Sequence, residues 1–274
     1  MRPPVLPLLV AAGLSAAASI VVSFAALAAV AAPAPAAPRV PVLHELFTSE
    51  GCSSCPPADL VLARFAAEQP VPGVEVLALS EHVDYWNRLG WADPYSSAQS
   101  SERQEAYAPH VSGGRVYTPQ AVVDGAFNLV GSDETGLRRA LAAASERPRG
   151  TLQLRIKEGP RDGAVPATTV GPLVLSIEAR SLPGDGELLL AVVEDGLVSL
   201  VTAGENGGRT LPHAAVVRSL RRLGRTSGGA AREEVTLALD VAWRRAGLRA
   251  VAFVQEPGRP VLAAGGASLA GPFK

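Results

Sequence analysis

Apolar and polar residues follow two regular patterns near the start of the folded chain. Residues 40–47 and 74–80 are short, mainly apolar runs that predict strands. Between them, residues 57–67 carry apolar side chains at helical spacing, and these define one face: Ala58, Val61, Leu62 and Phe65. Pro56 and Pro57 stand where the first turn of a helix tolerates proline. The pattern predicts a strand–helix–strand unit.

The following segment, residues 82–114, is rich in Asp, Ser and aromatic residues. It predicts an insertion that contains a helix over residues 96–107. Gly125 then predicts a hairpin turn between two strands. The predicted elements around and after this turn are strands over residues 120–124 and 126–130 and a helix over residues 133–146.

The pattern changes near residues 146–150, Glu-Arg-Pro-Arg-Gly. Beyond this point short runs alternate with period two, or are evenly apolar, and clusters of Gly, Pro and Asp separate them. Such a pattern predicts a β-sandwich with little helix. The fold class predicted is therefore α/β plus all-β, with an α/β domain over residues 40–147 followed by a β-sandwich-like domain over residues 150–270.

The N-terminal segment, residues 1–36, predicts export. No charged residue lies between Arg2 and Arg39, and the sequence from Val5 to Val30 is almost entirely apolar. Ala-x-Ala sites and an Ala/Pro-rich leader follow, which is typical of a signal peptide. An uncleaved membrane anchor is the alternative, since the run is long enough to span a bilayer. We expect a periplasmic or secreted protein, without a stable membrane span after cleavage.

Charge indicates little about partners. The formal net charge is −1, and the sequence lacks the strongly basic face that binds nucleic acid. The one basic cluster, residues 218–225, is interpreted as a solvated face or turn. Nucleic acid is therefore not expected among the partners.

The chain has two cysteines, Cys52 and Cys55, placed between a predicted strand and a predicted helix. A Cys-x-x-Cys pair at a helix N-terminus suits thiol–disulfide exchange, because unpaired N–H groups and the helix dipole favour a thiolate. Cys52 would attack and Cys55 would resolve the mixed disulfide, and this chemistry needs no cofactor. The pair could also form a structural disulfide, or bind copper or zinc together with a histidine.

Four motifs in order extend this interpretation: ELFTSEGCSSCPPAD, HVDYWNRLGW, YTPQAVVDG and GENGGRTLPH. Together they resemble a bacterial family catalogued as domain of unknown function 1223, over nearly all of residues 40–270. The resemblance implies a thioredoxin-like N-terminal half and a β-rich C-terminal half. It also implies that Thr118–Pro119 is a cis-proline site beside the disulfide, where Pro119 shapes a substrate groove.

The sequence departs from thioredoxin at three places near the cysteines. Ser53 and Ser54 replace the Gly-Pro dipeptide, and Gly51 stands where thioredoxin has tryptophan. The buried aspartate that assists proton transfer has no aligned equivalent. Glu45 is close to that place but one residue out of step, so it is a candidate proton acceptor or an ordinary salt-bridged residue.

Two further segments are candidates for the site. His82, Asp84, Tyr85 and Trp86 could form a wall beside Cys52, or the aromatic residues could pack the insertion. The segment from Gly204 to His213 is expected to be a hairpin loop, or a loop that contacts the redox face. The predicted function is thiol–disulfide exchange with the thiols or disulfides of exported proteins; a metal-binding protein and a redox-silent binding module are the alternatives.

Overall fold

The computed structural model describes residues 38–158 and 173–270, so the predicted signal peptide and leader lie outside the described residues. The first half of the chain forms these elements in order: β1 (Val40–Thr48), α1 (Pro56–Glu68), β2 (Val74–His82), α2 (Ala98–Val111), β3 (Gln120–Val123), β4 (Phe127–Val130) and α3 (Glu134–Ser145). All of these elements were predicted, with small shifts at their ends.

The second half of the chain is almost entirely strand. Its strands are β5 (Thr151–Glu158), β6 (Leu173–Arg180), β7 (Glu187–Glu194), β8 (Leu197–Leu200), β9 (Thr210–His213), β10 (Val216–Arg225), β11 (Ala231–Leu237), β12 (Leu248–Gln255) and β13 (Val261–Ser268). The described part of this half has a single short 3₁₀ turn, Arg245–Gly247, as its helical content. The predicted scarcity of helix is confirmed there. Among the described residues, no helix has the length and apolar character to cross a membrane.

One sheet of eight strands runs through both halves, in the order β13-β12-β7-β10-β2-β1-β3-β4. Strand β10 joins the halves by lying parallel to β2, with Val216 opposite Ser80, and the Ser80 N–H donates to the Ala215 carbonyl at 2.7 Å. The two halves of the described chain thus share one sheet, whereas the sequence predicted two separate domains. Without β10, the edge of β2 would leave backbone groups unpaired.

Two layers cover the large sheet. Helices α1 and α3 bury Phe65 and Leu141 against the strands of the first half. In the second half, the three-stranded sheet β11-β6-β5 packs on β7 and β12. Side chains alternate between buried and partly exposed along β6, because successive residues of a strand point to opposite faces. The second half therefore contains two packed β layers, as the alternating pattern predicted. One of these layers is part of the large sheet.

Gly258 lies in the turn between β12 and β13, where the backbone presses against α2. Its φ is +68°, and an added Cβ would lie 1.9 Å from the Ala106 carbonyl oxygen. We expect Gly258→Ala to lower the free energy of unfolding by about 2–4 kcal/mol, from backbone strain and overlap together. Gly113→Ala is the matched control, since Gly113 also has a positive φ, +63°, with nothing within 4 Å. Urea denaturation measures both variants. Equal losses in the free energy of unfolding for Gly258→Ala and Gly113→Ala would show that the overlap with Ala106 contributes nothing.

Candidate functional site

Cys52 and Cys55 form a disulfide, with their Cα atoms 5.4 Å apart, in the turn between β1 and α1. Helix α1 begins at Pro56, so Cys55 is its N-cap residue, and the N–H groups of Ala58 and Asp59 donate to the Cys55 carbonyl. The sequence interpretation puts Cys52, the predicted attacking thiol, at the helix N-terminus; this is wrong, because Cys55 takes that position and Cys52 lies before it. The two prolines take the first helical positions, where a missing N–H costs nothing, and so fix the start of the helix.

Both cysteines are buried. Cys52 is 1% exposed and Cys55 is fully buried, whereas Ser53 and Ser54 between them are exposed. An attacking Cys52 is expected to meet solvent before Cys55, and for the disulfide form this expectation is wrong, because both cysteines are buried. The Cys52 Sγ has the Ser54 hydroxyl as a neighbour at 3.3 Å.

The loop between β8 and β9, residues 201–209, contacts the cysteine turn, and we call it the cap loop. The side-chain amide of Asn206 donates to the carbonyls of Glu50 and Cys52, at 2.8 and 2.9 Å. Glu205 accepts a hydrogen bond from the Ser53 N–H at 2.9 Å. Both alternatives for the Gly204–His213 segment are observed: it belongs to the β8–β9 hairpin, and it contacts the cysteine turn.

The Thr118–Pro119 bond is cis, as predicted. Trp86 connects this segment to the cysteine turn: its Nε1–H donates to the Thr118 hydroxyl at 2.8 Å, and its Cβ would lie 3.3 Å from a Cβ on Gly51. Trp86 thus contacts both Thr118 and Gly51, the residue before Cys52. Tyr85 and Trp86 also pack on the cluster around Tyr107 of α2, so the alternative in which the aromatic residues pack the insertion is observed. A wall beside Cys52 stays a prediction for the other residues of this segment.

A cluster of titratable side chains is buried next to the cysteine turn. It consists of two histidine–carboxylate pairs: His82 Nδ1 with Asp93 at 2.7 Å, and His213 Nε2 with Glu50 at 3.0 Å. The two imidazole rings are 5.2 Å apart, and Tyr95 makes edge contacts with both. The other ring nitrogen of each histidine is buried without a hydrogen-bond partner among the described residues.

The geometry sets the protonation of the first pair. Burial disfavours the charged ring of His82, but the Asp93 carboxylate more than offsets this and raises the His82 pKa. Burial by itself would raise the pKa of Asp93, but His82 and the backbone N–H groups of Glu50 and Tyr95 hold it below its usual value. Both shifts favour the imidazolium–carboxylate form of the pair.

Asp59 is the residue near the disulfide that the sequence interpretation missed. Its N–H donates to the Cys55 carbonyl at 3.1 Å, and its carboxylate accepts from the Thr48 hydroxyl at 2.7 Å. Burial raises the pKa of Asp59, opposed by the nearby charges of His82 and His213. An acidic residue four positions after the second cysteine, in the first turn of a helix, was the available signal.

Glu45, the proton acceptor considered from sequence, lies elsewhere. Its carboxylate accepts from Arg103 and from the Tyr107 hydroxyl, both at 2.5 Å. It belongs to a structural ion pair between β1 and α2, and the salt-bridged alternative is the one observed. In the described segments, no group of three or more His, Cys, Asp or Glu side chains is arranged to hold a metal ion.

Glu81, beside His82 on β2, gives a pH-dependent prediction. Burial raises its pKa from 4.5 to about 7, although Arg103 acts in the opposite direction. Between about pH 4.5 and 7, folded Glu81 keeps a proton that the unfolded chain has released, so its contribution to stability falls as the pH rises. Glu81→Gln removes this titration and keeps an acceptor for the Ser100 hydroxyl, which donates to Glu81 at 2.7 Å.

We therefore expect the free energy of unfolding of the wild type, relative to Glu81→Gln, to decrease between pH 5 and pH 8. Urea denaturation of both proteins at the two pH values measures this change. The comparison cancels the titrating groups that do not interact with Glu81, since both chains share them. A wild-type–variant difference that is constant over this range would contradict the raised pKa.

These features define a mixed α/β protein dominated by one large sheet, with a disulfide at the start of its first helix. The chain belongs to the family described as protein of unknown function, DUF1223, whose model matches residues 43–255. No curated protein matched the chain.

Two solved structures resemble this fold. Protein AGR_C_4864 from Agrobacterium tumefaciens has a TM-score of 0.66 and 24% identity, over 86% of this chain and 97% of that one. HBP35 of Porphyromonas gingivalis has a TM-score of 0.61 and 16% identity, over 87% of this chain and 78% of that one. At these identities the likeness concerns the fold alone.

Proposed function

We propose that the protein is a thiol–disulfide oxidoreductase that acts on exported proteins, in the periplasm or outside the cell. The observation that carries the proposal is the Cys52–Cys55 disulfide at the start of α1, with a buried set of acid–base side chains beside it. Burying charged groups is costly, so a cluster of this size next to a disulfide favours a chemical role.

A thioredoxin-like first half is part of the proposal. Its support is the strand order β2-β1-β3-β4, in which β1 and β2 are parallel around α1 and β3 is antiparallel to both neighbours. The Thr118–Pro119 segment lies just before β3, and Trp86 contacts both Thr118 and Gly51 of the cysteine turn. In this proposal Thr118 and Pro119 form one side of the substrate groove.

The exchange reaction balances without a cofactor. The Cys52 thiolate attacks a disulfide of the target protein, forms a mixed disulfide and releases one target thiolate. The Cys55 thiolate then attacks the Cys52 sulfur, which closes the Cys52–Cys55 disulfide and releases the second target thiolate. Each leaving thiolate takes up a proton, and we assign Asp59 as the group that accepts the proton of Cys55. The reverse sequence oxidises a target dithiol.

The test is the redox equilibrium of the wild type in glutathione buffers, followed by exchange with a disulfide-linked reporter peptide. We expect reversible two-electron titration of the cysteine pair and catalysed reduction or oxidation of the reporter. The double variant Cys52→Ser/Cys55→Ser is the control and should lack both. A pair that stays oxidised at the most reducing ratio, with no reporter turnover, would contradict the proposal.

The burial of both cysteines favours a second candidate, a redox-silent binding module in which the disulfide is structural. A disulfide that closes so short a loop contributes only about 2 kcal/mol in the chain-entropy model. The candidates differ in the glutathione titration, since the structural pair should resist reduction in the folded state. The same measurement therefore decides between them.

A further inference from the structure

The cap loop has no part in the exchange chemistry, yet its contacts concentrate on the cysteine turn. Asn206 is fully buried, and both hydrogen bonds from its amide nitrogen go to carbonyls of that turn. Arg209 donates to the Asn206 Oδ1 at 2.7 Å, which fixes the orientation of the amide. The loop therefore holds the cysteine turn by its backbone.

The neighbouring contact is of a different kind. The Glu205 carboxylate lies at the surface and accepts the hydrogen bond of the Ser53 N–H. Together, Asn206 and Glu205 occupy the Cys52 carbonyl and the Ser53 N–H, an acceptor and a donor on adjacent residues. An extended peptide pairs with exposed backbone through the same kinds of group.

We propose that the cap loop closes the Cys52–Cys55 disulfide against external thiols, and that Asn206 is the positioning residue that keeps it closed. A thiol reaches the sulfur atoms only after the loop has moved away. This movement frees the Cys52 carbonyl and the Ser53 N–H. The substrate class that fits the opened site is an extended peptide carrying cysteine, which takes over both backbone contacts of the loop.

The proposed substrate class rests on the proposed function, whereas the proposal that the cap loop closes the disulfide does not. Reduction by dithiothreitol tests the cap by itself: two electrons and two protons pass from the dithiol to the protein disulfide, and dithiothreitol becomes its cyclic disulfide. We expect Asn206→Asp to be reduced about tenfold faster than the wild type or more, because the donor to two carbonyls is lost while Oδ1 remains for Arg209.

Glu205→Ala is the second variant, because a surface side chain can be removed without endangering the fold. It should also accelerate reduction, and the Ser53 amide should exchange its hydrogen faster while the far-UV spectrum stays unchanged. Glu205→Gln is the matched control: its amide oxygen still accepts from Ser53, so its rate should stay close to that of the wild type.

The outcomes separate the two proposals. Reduction rates of Asn206→Asp and Glu205→Ala within twofold of the wild type would contradict the proposal that the cap loop closes the disulfide. Faster reduction in both variants, together with faster mixed-disulfide formation with an extended cysteine peptide, supports the cap and its substrate. Faster reduction without any peptide exchange would support the closing of the disulfide by the cap loop. It would also contradict the proposed oxidoreductase function.

Discussion

Replacing Cys52 with serine is expected to abolish disulfide exchange, whereas replacing Cys55 should trap mixed disulfides. Cys52 lies outside the helix, next to the exposed Ser53 and Ser54, while Cys55 is fully buried at the N-cap of α1. Loss of the attacking group should lower the exchange rate on the order of a thousandfold or more. Loss of Cys55 leaves the attack intact but removes resolution.

The measurement is non-reducing electrophoresis and mass spectrometry of the variants after incubation with exported proteins of the same cell. Ser53→Ala is the control, since its backbone N–H and its contact with Glu205 remain. Trapped partners on the Cys52→Ser protein instead of the Cys55→Ser protein would reverse the assignment of the attacking thiol. The absence of trapped partners on both would favour the structural disulfide.

The second large effect is expected at Arg103, away from the cysteines. Its guanidinium donates to Glu45 at 2.5 Å, and to the Tyr107 hydroxyl and the side-chain Oε1 of Gln255, each at 2.9 Å. Arg103→Ala would leave the fully buried Glu45 without its positive partner. We expect a loss of about 3–5 kcal/mol in the free energy of unfolding, as is found when one partner of a buried ion pair is removed.

Urea denaturation at pH 7 measures this loss, with Arg222→Ala as the matched control. Arg222 pairs with Glu187 at 2.8 Å at the surface, and such pairs are worth about 1 kcal/mol or less. The double variant Arg103→Ala/Glu45→Gln should recover part of the loss, because it removes the unpaired charge. Equal losses in Arg103→Ala and Arg222→Ala would show that the buried pair contributes no more than a surface one.

The sequence by itself determined the local elements and the reactive pair. Apolar spacing gave α1 and α3, and the period-two runs gave the strands of the second half. These features could be predicted because they depend on side chains within a few residues of one another. The family and the cis bond at Pro119 also followed from motifs in the sequence, whereas the contact of the cap loop was one of two alternatives left open.

The tertiary structure decided how these parts combine. The pairing of β10 with β2 merges the two predicted domains into one sheet, because an unpaired strand edge is covered by whichever strand reaches it. The His82 and His213 pairs form from residues far apart in sequence, and Asp59 joins them only because α1 packs over β1. Local patterns carry no information on such contacts, since they depend on long-range packing and on the burial that shifts each pKa.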